Sequence, residues 1–175
     1  QMEEYAQAAQ HYQAALSVYI ITNDAEGQID GLINLALTDE ALNLPDSALS
    51  RFLQSRKIAE QFNNPRMLSL TANYLRNYYL ENENLEQAYY WLKLALKNTE
   101  SNKSTKEYYT ANYNMGLYWM SKNDERKAIN YLKEALQQAD GMKSVTLQKD
   151  AAENLWQAYK KAKQYEKALE TLQLY

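Results

Sequence analysis

An all-α array of antiparallel helix pairs is the architecture this sequence predicts, and three observations carry that prediction. Forty residues after Ala8 stands Ala48, and the same step lands on Ala88, Ala128 and Ala168. The step carries Tyr12, Phe52, Leu92, Leu132 and Leu172 four residues on, and Ala15, Ser55, Ala95, Ala135 and Tyr175 seven on. Leu35, Leu75, Met115 and Leu155 stand thirteen residues before the later four alanines. A self-similar period of about 20–50 residues marks units that bury their apolar faces only against their neighbours. Second, apolar residues inside a unit recur at steps of three and four, the helical period. Third, 46% of the 175 residues are apolar while only 4 are Gly and 2 Pro. That composition, with no long apolar run, suits a helical protein without a membrane span.

Taken in order, residues 1–24 form a half unit in which Tyr5 to Ile21 matches only the second helix of a pair. Full units follow at about 25–64, 65–104, 105–144 and 145–175, all within one array. The unit 65–104 shows the pairing best: Leu75, Tyr78 and Tyr79, then Leu85, Ala88, Tyr89, Leu92, Ala95 and Leu96, are separated by the turn Glu81-Asn82-Glu83-Asn84. Equivalent turns occur at Leu44-Pro45-Asp46, at Ser121 to Asp124 and at Ala162-Lys163-Gln164. Pro45 and Pro65 suit the first position of a helix, where no N–H is needed and φ is already set. Asn64 and Asp124 suit N-caps. The links Asn23 to Gly27, Asn63-Asn64, Asn98 to Ser104 and Asp140-Gly141 are short enough that neighbouring units must stack. With half a unit at the start and a last turn of helix at Tyr175, the chain reads as a fragment of a longer protein, its uncovered ends suited to end-to-end self-association.

The run Asn114-Met115-Gly116-Leu117-Tyr118-Trp119, then Asn123-Asp124-Glu125, Ala128-Ile129, Leu132 and Ala135-Leu136, resembles the tetratricopeptide repeat signature. Leu155 to Tyr159, with Gln164-Tyr165-Glu166, Ala168-Leu169 and Leu172, resembles it again. The resemblance covers the whole chain and implies a superhelix, a solenoid of antiparallel helix pairs. The family's usual period is about 34 residues, so each unit here carries roughly six more. Lengthened units are similar to those of bacterial signalling and regulatory proteins, including two-component sensor histidine kinases, and to peptide-pheromone receptors of Gram-positive bacteria. The function implied is noncatalytic protein or peptide binding in the sensory or regulatory segment of such a protein. A pheromone-type receptor or transcriptional regulator segment is the alternative, and an assembly scaffold without a ligand is another. Compartment stays open between periplasm and cytoplasm, with the periplasm favoured for a sensor segment.

The five alanines sit where the helices of a unit cross closely, so a larger side chain would overpack the contact by about 1–3 kcal/mol. Gly116 serves a similar close approach. Trp91, Trp119, Trp156, Tyr79 and Tyr159 read as scaffold, since aromatic side chains carry large contact areas. By analogy with the family, binding falls on a concave groove lined by the first helix of each unit. Its lining residues are Asp30, Ile33, Leu37 and Glu40; Asn73, Asn77 and Leu80; Tyr113, Leu117 and Met120; and Glu153, Gln157 and Lys160. Amides offer both donors and acceptors, so Asn73 and Asn77, four residues apart, suit the backbone of an extended peptide. Asn34, Asn114 and Asn154 recur at one register, each just before the apolar residue that begins the signature, where they either stabilise inter-helix geometry or cap a neighbour or serve the groove. The family's carboxylate clamp is excluded, because its cationic positions hold Asn73, Asp150 and Asn154 while only Asn77 and Asn114 match its amides.

No enzyme is expected in this segment. His11 is the single histidine and there is no cysteine, so no metal set, thiol nucleophile or Ser-His pair can be assembled. Asp39-Glu40 and Asp124-Glu125 are sequence neighbours on helices and do not face each other as a general acid and base would. No cofactor is implied. Among charges, no Lys or Arg precedes Arg51, so the first 50 residues carry −8 within a total of −3. Lys160, Lys161, Lys163 and Lys167 cluster near the other end. An overall negative charge and a small basic cluster without interleaved aromatics argue against nucleic-acid binding.

Overall fold

A computed structural model describes residues 2–174. It is all-α: among the described residues there are nine helices, α1 (Met2–Ile21), α2 (Ala25–Ala41), α3 (Pro45–Phe62), α4 (Pro65–Glu81), α5 (Leu85–Thr99), α6 (Lys106–Ser121), α7 (Glu125–Gly141), α8 (Val145–Lys161) and α9 (Tyr165–Leu174). Consecutive helices run antiparallel and pack on one another from α1 to α4 in the first part of the chain and from α6 to α9 in the second. None of them is long and apolar enough to cross a membrane.

Local chemistry sets the ends. Asp24 accepts from the Gly27 N–H at 3.0 Å, Asn64 from Arg66 and Met67, and Asp124 from Lys127, each satisfying an orphan donor of a first turn. Pro45 and Pro65 open α3 and α4 as expected. The reversals repeat at half the period read from the alanines. Asn23, Asn43, Asn63, Glu83, Asn123, Lys143 and Lys163 all have positive φ, at steps of twenty that skip only position 103. After six of these residues the next N–H reaches back to a carbonyl of the last helical turn, as in Asp24 to Tyr19 at 2.9 Å and Gln164 to Tyr159 at 2.9 Å. This is the left-handed C-terminal cap, which Gly or Asn adopts with least strain.

The chain divides into two compact units, residues 1–91 and 92–175. In the first, Ala25, Ile29, Ile33, Ala36, Ala48, Phe52, Ala59, Met67, Leu75 and Tyr78 form the main core, with Leu16, Leu32 and Leu35 beneath α1. Phe52 stacks on Tyr74 at 5.8 Å and meets Tyr78 edge-on, and the Tyr78 hydroxyl donates to the Pro45 carbonyl at 3.2 Å. Arg56 is buried with three partners: Glu60 at 2.8 Å, the Leu68 carbonyl at 2.7 Å and the Trp91 ring at 5.7 Å. A buried guanidinium is tolerated when its donors are used.

The second unit has one core, built on Ala128, Leu132, Ala135, Ala139, Ala151, Leu155, Ala158 and Ala168. Gly116 explains the fit of α6 on α7, since a Cβ built there would lie 2.5 Å from Leu132 Cγ. Ala48, Ala88, Ala128 and Ala168 are all buried, whereas Ala8 is half-buried on α1, which packs among the described helices against α2 alone. The register four residues on is 1% exposed at Phe52 and Leu92 and 0% at Leu132, but Leu172 is 61% exposed on α9.

Candidate binding faces

In the first unit the first helices α2 and α4 touch each other directly, and one forty-residue step relates their outward residues. Asn77 on α4 corresponds to Leu37 on α2, and Leu80 to Glu40. Leu37 is 40% exposed, Asn77 is exposed, and Asn73, Leu80 and Glu40 are half-buried. Ile33, expected beside them, is 3% exposed and belongs to the core. Ile33 lies in the core that α2, α3 and α4 share and not on the outward face.

Charge surrounds this face. At one end Arg66 reaches across from α4 to Glu26 on α2 at 3.3 Å. Nearby Asp30 has its carboxyl pushed above the usual range by burial, an effect that Arg66 opposes and Glu26 and Asp24 reinforce. At the other end burial pushes the Glu40 carboxyl up to about 7, with the charge of Glu81 adding to it. Asp39, adjacent in sequence, points elsewhere and pairs with Arg51 Nε at 3.2 Å. Burial raises its pKa and Arg51 works against that rise.

In the second unit Tyr113, Leu117, Met120 and Gln157 are all half-buried, and Tyr113 and Met120 pack against the core. Tyr113 stacks on Tyr109 at 5.7 Å, and its hydroxyl accepts from Asn154 Nδ2 at 3.0 Å. Asn154 also donates to the Asp150 carbonyl, so its amide ties α8 to α6. Burial, then Asp150 and Glu153, raise the Tyr113 pKa while the Asn154 bond lowers it. Asn114 is buried and Asn34 half-buried. Lys160 is exposed and lies over the Trp156 ring at 5.1 Å. His11 is exposed on α1.

Comparison with known proteins bears on the fold. No protein-family model matches the chain, and no curated protein matches its sequence. Solved structures do match it in shape. The BtubC protein of P. vanneervenii, described as BKLC, is 16% identical, with 99% of this chain and 87% of that chain covered and a TM-score of 0.68. The nearly identical TPR-like repeats of a putative kinesin light chain from Podosopora anserina are 14% identical, covering 98% and 85% at 0.68. MamA is 15% identical, covering 96% and 90% at 0.62. At such identities the likeness shows a tetratricopeptide-like helical-repeat fold.

Proposed function

We propose that this chain is a noncatalytic module that binds a segment of another protein on the outward faces of its first helices. The observation that carries the reading is the α2–α4 face of the first unit. There a 40% exposed Leu37 and an exposed Asn77 stand at equivalent positions of two touching helices, with Leu80 and Glu40 one turn on. An apolar anchor beside an amide that can both donate and accept suits a peptide whose backbone is held by the amide and whose side chain sits on the leucine. Tyr113, Leu117, Met120 and Gln157 give the second unit a face of similar composition. The setting of a sensory or regulatory segment in a bacterial signalling protein is the finer part of the proposal and rests on the forty-residue period.

The test is selection of peptides from a displayed random library against the intact chain, followed by titration on the variant Leu37→Asp with Asn77→Ala. Affinity should fall by about tenfold or more, the scale of losing one apolar anchor and its hydrogen bond. Helical content by circular dichroism should be unchanged, because both residues lie outside the core. Equal affinity of the selected peptides for both proteins would place binding elsewhere.

A further inference from the structure

In the second unit the two kinds of helix are spaced differently. The first helices α6 and α8 touch, and α7 and α9 each pack on α8, but α7 and α9 do not touch each other. The splayed second helices leave a trough between them, with a cavity of about 440 Å³ floored by buried Ile129 and Tyr159. Arg126 and Lys133 of α7 and Lys167 of α9 stand on its rim, all exposed. Glu125 is the one carboxylate among the residues that line it.

Two features of this rim favour an acidic partner, although most described lysines of this unit likewise lack a salt bridge. In the first unit Arg51, Arg56 and Arg66 each pair with a carboxylate within 3.3 Å. Among the described residues none of the three rim cations is in a salt bridge, although the charge of Arg126 acts on Asp124, and Lys167 Nζ meets the neutral Gln164 Oε1 at 3.1 Å and lies 6.0 Å from the centre of the Tyr159 ring. Residues 92–175 hold fourteen Lys and Arg against ten Asp and Glu, so the carboxylates are too few to pair with every cation. The second feature comes from the repeat. One forty-residue step back the floor positions Ile129 and Tyr159 are Tyr89 and Trp119 and the rim positions Glu86, Lys93 and Lys127; two steps back the floor is Leu49 and Tyr79 and the rim Asp46, Leu53 and Gln87. The fold demands the apolar floor in each place. It does not demand the cations.

We propose that this trough binds an acidic peptide segment of another protein, in extended form. The partner's carboxylates pair with Arg126, Lys133 and Lys167, an apolar side chain lies on Ile129 and Tyr159, and the exposed amides of Asn130 and Gln164 bond its backbone. Charge complementarity selects the partner, because exposed cations above an apolar floor lose least solvation to a ligand that brings both carboxylates and an apolar residue. The assignment uses none of the residues of the first-helix faces.

The probe is a short labelled peptide of alternating glutamate and leucine, titrated by fluorescence anisotropy onto the intact chain. Arg126→Gln, Lys133→Gln and Lys167→Gln together should weaken binding by about tenfold or more. Lys97→Gln, Lys106→Gln and Lys143→Gln, an equal change in net charge at exposed sites away from the trough, should leave it within about twofold. Circular dichroism on both triple variants confirms that the helices persist. Equal weakening by both variants would reduce the effect to net charge and overturn the proposal. Tighter binding of a single-stranded oligonucleotide than of the peptide, with the same dependence on the rim, would assign the trough to nucleic acid. Self-association of the wild-type chain in sedimentation, abolished by the rim variant, would assign it to a second copy.

Discussion

Replacing Gly116 by alanine adds one methyl group where α6 meets α7. That carbon would lie 2.5 Å from Leu132 Cγ and 2.7 Å from its Cδ2, against an ordinary carbon–carbon separation of about 3.5–4.0 Å. Leu132 would have to withdraw by about 1 Å, yet it is fully buried in the core it shares with Ala128, Ala135 and Leu155. Overpacking of this kind costs about 1–3 kcal/mol, and exchanging glycine for alanine within a helix returns about 0.5–1 kcal/mol. A net loss of about 1–2 kcal/mol is expected. Urea unfolding followed by helical circular dichroism measures it as a lower midpoint at unchanged slope. Gly141→Ala is the matched control, since a Cβ there meets nothing within 4 Å and the residue's φ is negative. It should stabilise by a few tenths of a kcal/mol. Leu132→Ala alone should cost about 2–5 kcal/mol, and with Gly116→Ala the combined loss should be less than the sum. If Gly116→Ala were as stabilising as Gly141→Ala, the close approach of α6 and α7 would be refuted.

Two further perturbations test other parts of the fold. Ala128→Leu should lose about 1–3 kcal/mol in the same assay, while Ala8→Leu, at the same register but half-buried, should change stability by less than about 0.5 kcal/mol. Folding raises the Glu40 pKa to about 7, so between about pH 4.5 and 7 the unfolded chain carries more of that negative charge, and stability falls as pH rises through this window. Glu40→Gln should be neutral near pH 4 and stabilising by roughly 1 kcal/mol near pH 8, allowing for the screening of a half-exposed group. A gain of equal size at both pH values would show that its charge is not the cause.

Much of the fold was legible because packing imposed the same residue at the same register. Ala48, Ala88, Ala128 and Ala168 are small since each faces a crossing helix, and Asn64 and Asp124 cap helices through atoms within three residues of themselves. The burial of Ile33 was not legible, because it lies in a core built by residues of other helices and nothing in the local pattern of α2 announces them. The twenty-residue spacing of the turns was half visible. Asn23, Asn43, Asn63 and Asn123 are residues that accept a left-handed backbone, whereas Glu83, Lys143 and Lys163 adopt it without a side chain that asks for it. The unpaired state of Arg126, Lys133 and Lys167 was not legible at all, since pairing depends on which carboxylates the folded chain brings within reach.

The left-handed residue that closes a helix every twenty positions also bears on how quickly the chain finds its shape. Each reversal is made by hydrogen bonds spanning at most five residues, and the recorded packing between helices runs to the next helix or the one after. No distant loop must close before contacts begin to reward it. Such a low contact order places the chain among fast-folding topologies, with growth able to begin at any hairpin and spread along the chain in either direction.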